Sequence, residues 1–169
     1  GDDVPILTNS PGAFTSVART LGMTETFMNL IIKPEVVKIM IDKVAEYTRN
    51  YTDAVIEAGA NMLFMGDPAA STNLLSPDMF REFAKAPLKQ QVDAVDVPIM
   101  FHICGKVLPI AKDMVDIGAA MLSIDQDVEV ADIRKDVGDE VVIGGNMDPI
   151  QFIAKQSTEG VRQKALENF

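Results

Sequence analysis

Gly59-Ala60-Asn61-Met62-Leu63-Phe64-Met65-Gly66-Asp67 has three parts: a glycine that ends a helix, four apolar residues that cross a core, and a polar residue where the crossing ends. The same order returns in Gly118-Ala119-Ala120-Met121-Leu122-Ser123-Ile124-Asp125 and in Gly138-Asp139-Glu140-Val141-Val142-Ile143-Gly144-Gly145-Asn146. Unbroken apolar runs of this length mark strands buried on both faces of a parallel sheet. With helical patterns between them, the chain reads as alternating β and α units.

Working outward, five strands are expected, over residues 4–8, 62–65, 97–104, 121–124 and 141–143. Asn9-Ser10-Pro11-Gly12 reads as a turn before a helix over 14–21 that Gly22 ends. Thr24 is placed to cap a second helix carrying Phe27, Met28, Leu30 and Ile31. Pro34 opens a long third helix that Gly59 closes. Val37, Met40, Ile41, Val44, Tyr47, Tyr51, Val55 and Ala58 recur along it by threes and fours, as a core-facing stripe does. Ser76-Pro77 starts a helix expected to run to about residue 95, helices follow over 108–117 and 131–137, and Asp148-Pro149 and Ser157 cap two more, the last pattern reaching Phe169.

A (β/α)8 barrel takes roughly 31 residues per unit, so 169 residues hold about five of eight units. The alternative is a doubly wound open sheet, which gathers its polar groups at one switch point. Here polar residues follow every strand: Asn9 and Ser10, Asp67, His102 and Cys104, Asp125, and Asn146. The barrel is therefore the expected fold, with residues 1–169 forming a single partial barrel domain. The chain has no initiator methionine and stops within a helical pattern, so a piece of a larger protein lacking N-terminal and C-terminal units is expected.

Composition narrows the function. A net charge of −10 without a basic cluster argues against nucleic acid or an anionic membrane surface as partner. One cysteine excludes an internal disulfide, and no run approaches 18 apolar residues or resembles a signal peptide, so the cytoplasm is the expected compartment. No glycine-rich phosphate loop follows a strand, since Gly144-Gly145-Asn146-Met147-Asp148-Pro149 lacks the required spacing.

The chemistry concentrates in Val97-Pro98-Ile99-Met100-Phe101-His102-Ile103-Cys104-Gly105-Lys106, where an apolar run ends in the only histidine and the only cysteine of the chain. If the strand extends through Cys104, the two side chains project to the same face. Read as chemistry, they are two zinc ligands. Read as packing, Cys104 is a small buried hydrophobe and His102 a hydrogen-bonded core residue. Asp67, Ser71, Asp125 and Asn146, at or just after neighbouring strand ends, are candidate substrate contacts. Asp67 also reads as a turn or cap aspartate, and Asp125 as a group that orients His102 or approaches a metal.

Phe101-His102-Ile103-Cys104-Gly105-Lys106, together with Gly66-Asp67-Pro68-Ala69-Ala70-Ser71, Leu122-Ser123-Ile124-Asp125 and Gly145-Asn146-Met147-Asp148-Pro149, resembles the uroporphyrinogen decarboxylase superfamily. It is more similar to the methylcobamide:coenzyme M methyltransferase branch, whose most specific mark is His-x-Cys. Ser10-Pro11-Gly12-Ala13-Phe14-Thr15 resembles that family's glycine-proline-x-threonine turn with Pro and Gly exchanged. The resemblance implies a (β/α)8 barrel of which this chain covers the third to seventh strands. It implies zinc on His102 and Cys104, with a second cysteine on a later strand-eight loop that would lie beyond Phe169. It implies transfer of a methyl group from methylcobalamin on a corrinoid carrier protein to a small thiol such as coenzyme M, a reaction of methanogenesis. Decarboxylases of this superfamily generally lack the His-x-Cys pair. A porphyrinogen decarboxylase and a non-catalytic, corrinoid-protein-binding barrel fragment are the alternatives. Exposed barrel edges lead us to expect self-association as well.

Overall fold

The computed structural model describes residues 4–167, so Phe169 lies outside the described residues. Five parallel strands form one sheet in the order β1-β2-β3-β4-β5: β1 (Leu7–Pro11), β2 (Met62–Gly66), β3 (Ile99–His102), β4 (Met121–Ser123) and β5 (Val142–Gly144). Each strand pairs with the next in sequence and the order never reverses, which is the barrel arrangement and excludes the doubly wound sheet. The chain is thus an α/β protein of five consecutive βα units. No helix among the described residues is long and apolar enough to cross a membrane.

Between β1 and β2 run α1 (Ala13–Leu21), α2 (Met23–Ile32) and α3 (Pro34–Glu57). α4 (Pro77–Phe80) continues through a π-helical turn (Arg81–Lys85) into α5 (Ala86–Asp93), and α6 (Ala111–Ile117), α7 (Val130–Val137) and α8 (Thr158–Glu167) complete the set. The register places Ser10, Met65, Phe101, Leu122 and Ile143 in one row facing the helices, and all but Ile143 are fully buried. The opposite face carries Asn9, Phe64, Met100, Met121 and Val142 in one row, and Pro11, Gly66, His102, Ser123 and Gly144 in the next. Side-chain alternation therefore divides the sheet into a dry helix-covered side and a half-open lumen side.

Four expectations are corrected. The first strand covers 7–11, not 4–8: Ser10 enters the buried row because its hydroxyl is satisfied by Thr52 Oγ1 at 2.7 Å, and Pro11 is tolerated on an edge strand. Thr24 does not cap α2, which starts at Met23 behind Gly22, while Met28 and Ile31 are exposed. On α3 the buried face is Val37, Ile41, Ala45, Thr48 and Thr52. Tyr47 and Tyr51 are 69% and 40% exposed, because the helix turns its threonines inward to meet Ser10 of β1 and Gln91 of α5. The single helix expected over 77–95 is broken by the π turn. Pro87 cannot donate a backbone hydrogen bond and crowds the carbonyl four residues earlier, and a wider turn relieves both. Arg81 and Lys85, one at each end of that turn, both reach Asp113 on α6, at 3.0 and 2.7 Å.

Other local readings hold. Ser76 caps α4 by accepting from Met79 N, and Asp148 accepts from Ile150 N and Gln151 N. Gly118 closes α6 in the left-handed region.

Candidate functional site

β3 ends at His102, so Cys104 lies just past the strand instead of on it, and its thiol is exposed. The alternation of buried Phe101 and Ile103 with open His102 and Cys104 nonetheless continues past the strand end, so the two side chains share the lumen side. Cys104 Sγ lies 3.2 Å from His102 Nε2, and the chain turns at Gly105 directly after it. His102 stacks on Phe64 from the adjacent strand, with ring centroids 5.7 Å apart and 27° between planes. Its Nδ1 donates to the Ser123 carbonyl at 3.0 Å and lies 3.1 Å from Ser123 Oγ. A carbonyl oxygen only accepts, so the ring proton sits on Nδ1 and the Nε2 lone pair is left facing Cys104.

These groups fit a zinc ion. Tetrahedral zinc with its usual bond lengths to imidazole and thiolate would hold the two donor atoms about 3.5 Å apart, close to the separation found here. The imidazole is locked in the ligating tautomer. Partial burial and then the nearby Asp125 carboxylate push the Cys104 thiol up from its ordinary value, and a metal bound there would displace its proton. Among the described residues no group of three His, Cys, Asp or Glu side chains surrounds a common point.

The four candidate substrate contacts divide by direction. Ser71 and Asp125 flank the Cys104 loop: Ser71 Oγ donates to the Cys104 carbonyl at 2.6 Å, and Asp125 accepts from Gly105 N at 2.9 Å. Asn146 sits one layer further along, its Nδ2 donating to the Asp125 carbonyl at 3.2 Å and to the Val128 carbonyl. It also lines a cavity with Gln126, Arg134 and Phe152 at the end of β5. Asp67 points away from the pair, to the helix side, and is fully buried. It accepts from Thr15 N at 2.7 Å and so caps α1 from another loop, while its second oxygen has no partner. Burial raises its carboxyl to about 6 despite the opposing bonds from Thr15 and Phe14.

Three participants escaped the sequence reading. Thr72 Oγ1 donates to the Lys106 carbonyl, and Asn73 Oδ1 accepts from Lys106 N at 3.4 Å. Ser123 carried a signal, as the one polar residue within Met121-Leu122-Ser123-Ile124, in register with His102. A partly buried hydroxyl within an apolar strand calls for a partner.

Comparisons with known proteins bear on this geometry. The family model "Uroporphyrinogen decarboxylase (URO-D)" matches residues 1–169. The chain is 34% identical over 173 residues to the methylcobamide:CoM methyltransferase MtaA of Methanosarcina barkeri, covering 95% of this chain and 51% of that protein. It is 30% identical over 180 residues to uroporphyrinogen decarboxylase of Chlorobaculum parvum, covering 99% of this chain and 50% of that one. A solved methyltransferase from Methanosarcina mazei superposes with a TM-score of 0.89 at 30% identity, covering 98% of this chain and 49% of that chain. The chain thus spans about half the length of the curated relatives it matches.

Proposed function

This chain belongs to the uroporphyrinogen decarboxylase family, and on that premise we propose that it serves transfer of a methyl group from a methylated corrinoid on a carrier protein to a thiol such as coenzyme M. The carrying observation is the 3.2 Å approach of Cys104 Sγ to His102 Nε2. A buried-core reading of the pair would not leave the thiol exposed on the lumen side.

In this reading zinc is held by His102 and Cys104 together with a ligand from outside the described residues. Bound there, it would supply a positive charge that keeps an acceptor thiol ionised at neutral pH, where a free alkyl thiol is mostly protonated. The remaining work falls to the chain. Ser123 fixes the imidazole tautomer, Phe64 fixes the ring plane, and the alternation that continues past β3 presents the cysteine on the same side. The lumen row of Phe64, Met100 and Met121 gives the pair a half-exposed apolar floor. Corrinoid and carrier would approach the C-terminal ends of the strands, where barrel chemistry gathers. A cytoplasmic location and a missing remainder of the barrel are part of the same proposal.

A decarboxylase reading has its own support in the likeness to uroporphyrinogen decarboxylase. The 169-residue chain alone is expected to be inactive, so assays of coenzyme M methylation by methylcobalamin and of uroporphyrinogen decarboxylation, each with and without added zinc and run on the chain extended through the remaining barrel units, separate the two. Zinc-dependent methylation that Cys104→Ser abolishes is the expected result. Decarboxylation that ignores both zinc and Cys104 would overturn it in favour of the second reading. Corrinoid binding with neither activity would overturn both in favour of a non-catalytic barrel.

A further inference from the structure

β3 ends at His102, yet the Cys104–Gly105 peptide two residues on is secured at both of its polar atoms. From the loop after β2, Ser71 Oγ donates to the Cys104 carbonyl at 2.6 Å. From the loop after β4, Asp125 Oδ2 accepts from Gly105 N at 2.9 Å. Each anchor is itself held: Ser71 Oγ accepts from Asn73 N at 3.2 Å, and Asp125 Oδ1 accepts from Asp127 N at 3.3 Å. Ser71 is 3% exposed, so its bond is shielded from competing water. The clasp is tight enough that a Cβ on Gly105 would lie 2.4 Å from Asn73 Nδ2 and 3.0 Å from Ser71 Oγ.

We propose that Ser71 and Asp125 are positioning residues for the metal-binding thiol, fixing the plane of the Cys104–Gly105 peptide and hence the direction in which Cys104 Sγ is presented to His102 Nε2. This rests on the zinc reading given above and deepens it. Neither residue is a ligand. Both Asp125 oxygens are engaged by backbone amides, so what the position requires is an acceptor and not a charge. The two anchors come from different strands, so the thiol's direction is set by three adjacent βα units at once.

The test compares Ser71→Ala, Asp125→Ala and Asp125→Asn with the unaltered 169-residue chain. Zinc affinity is read by competition with a chromophoric chelator, and amide exchange of Gly105 by NMR on glycine-labelled, metal-free protein. Ser71→Ala and Asp125→Ala should weaken zinc by roughly 10–100-fold, as loss of groups that orient ligands does, and should speed Gly105 exchange. Asp125→Asn, which keeps an acceptor oxygen, should stay close to the unaltered chain in both. Asn as damaging as Ala would overturn the proposal by making the charge or direct ligation the role, and unchanged zinc affinity in both alanine variants would overturn it outright. If the unaltered chain takes no zinc, the metal reading fails on its own and Gly105 exchange still judges the clasp: equal rates in all four proteins would overturn it.

Discussion

His102 Nδ1 lies 3.0 Å from the carbonyl oxygen of Ser123 and 3.1 Å from its hydroxyl, so one residue offers the imidazole two partners, one belonging to the backbone and one to the side chain. The backbone partner survives any substitution at position 123. Ser123→Ala should therefore weaken zinc by less than tenfold, whereas His102→Ala should abolish measurable binding. Chelator competition at fixed pH checks both, and a Ser123→Ala variant as damaged as His102→Ala would contradict the tautomer argument.

Cys104→Ser should remove zinc while leaving the fold intact. The side chain is exposed and lies outside the core, so the variant's stability should stay within the range of ordinary surface changes, about 0.5 kcal/mol. Metal content after gel filtration and a circular dichroism melt measure the two effects. Retained stoichiometric zinc would remove Cys104 from the ligand set.

Gly105 has φ of +79°, and a Cβ there would lie 2.4 Å from Asn73 Nδ2 and 3.0 Å from Ser71 Oγ. Gly105→Ala should therefore cost a backbone penalty of about 1–2 kcal/mol and about 1–3 kcal/mol more for displacing Asn73 or Ser71. Urea denaturation measures the total, and a loss no larger than the backbone penalty would mean the clasp yields freely.

Asp67 makes stability depend on pH. Its carboxyl rises from 3.8 in the unfolded chain to about 6 when folded, chiefly through burial. Between those values the folded state holds the extra proton, so stability falls as pH rises through this window, by about 3 kcal/mol in all. Below pH 3.8 the contribution is fully present, and above 6 it is gone. Asp67→Asn keeps an acceptor for Thr15 N and removes the titration, so denaturation midpoints measured from pH 4 to 7 should lose this slope. An unchanged slope would assign it to other groups.

β1 and β5 bound the sheet, and Val142 on β5 is 52% exposed on the lumen side. Unpaired strand edges beside a half-open apolar face favour pairing between molecules. The 169-residue chain should self-associate at micromolar concentration, and light scattering that shows a monomer would contradict this.

Much of the architecture was legible because it depends on local rules. Glycine stops, proline starts and apolar runs of four need no knowledge of distant residues, and they located every strand to within a few positions. The errors lie where a distant partner decides. Ser10 joins the sheet because Thr52 is there to receive it, and α3 turns Tyr47 outward because its threonines have polar partners inside. For the site, the His-x-Cys pair and its shared face were readable from the two-residue spacing. The anchoring of the Cys104–Gly105 peptide was not, because its partners, Ser71 and Asp125, lie 33 residues earlier and 20 residues later. Asp67 was readable as a cap or as a site contact. Only the fold shows that the helix it caps is α1, 52 residues before it.

The unbroken order β1-β2-β3-β4-β5 bears on how such a chain emerges from the ribosome. Every strand finds its partner immediately upstream, so each βα unit can dock on a surface already synthesised, with no long loop held open for a later arrival. By residue 125 the histidine, the cysteine, Ser123 and both anchors of the Cys104–Gly105 peptide have been made. On the zinc reading, both proposed ligands and both anchors therefore belong to units that precede β5, so this half of the site can be built from the first four strands and their loops without the last one.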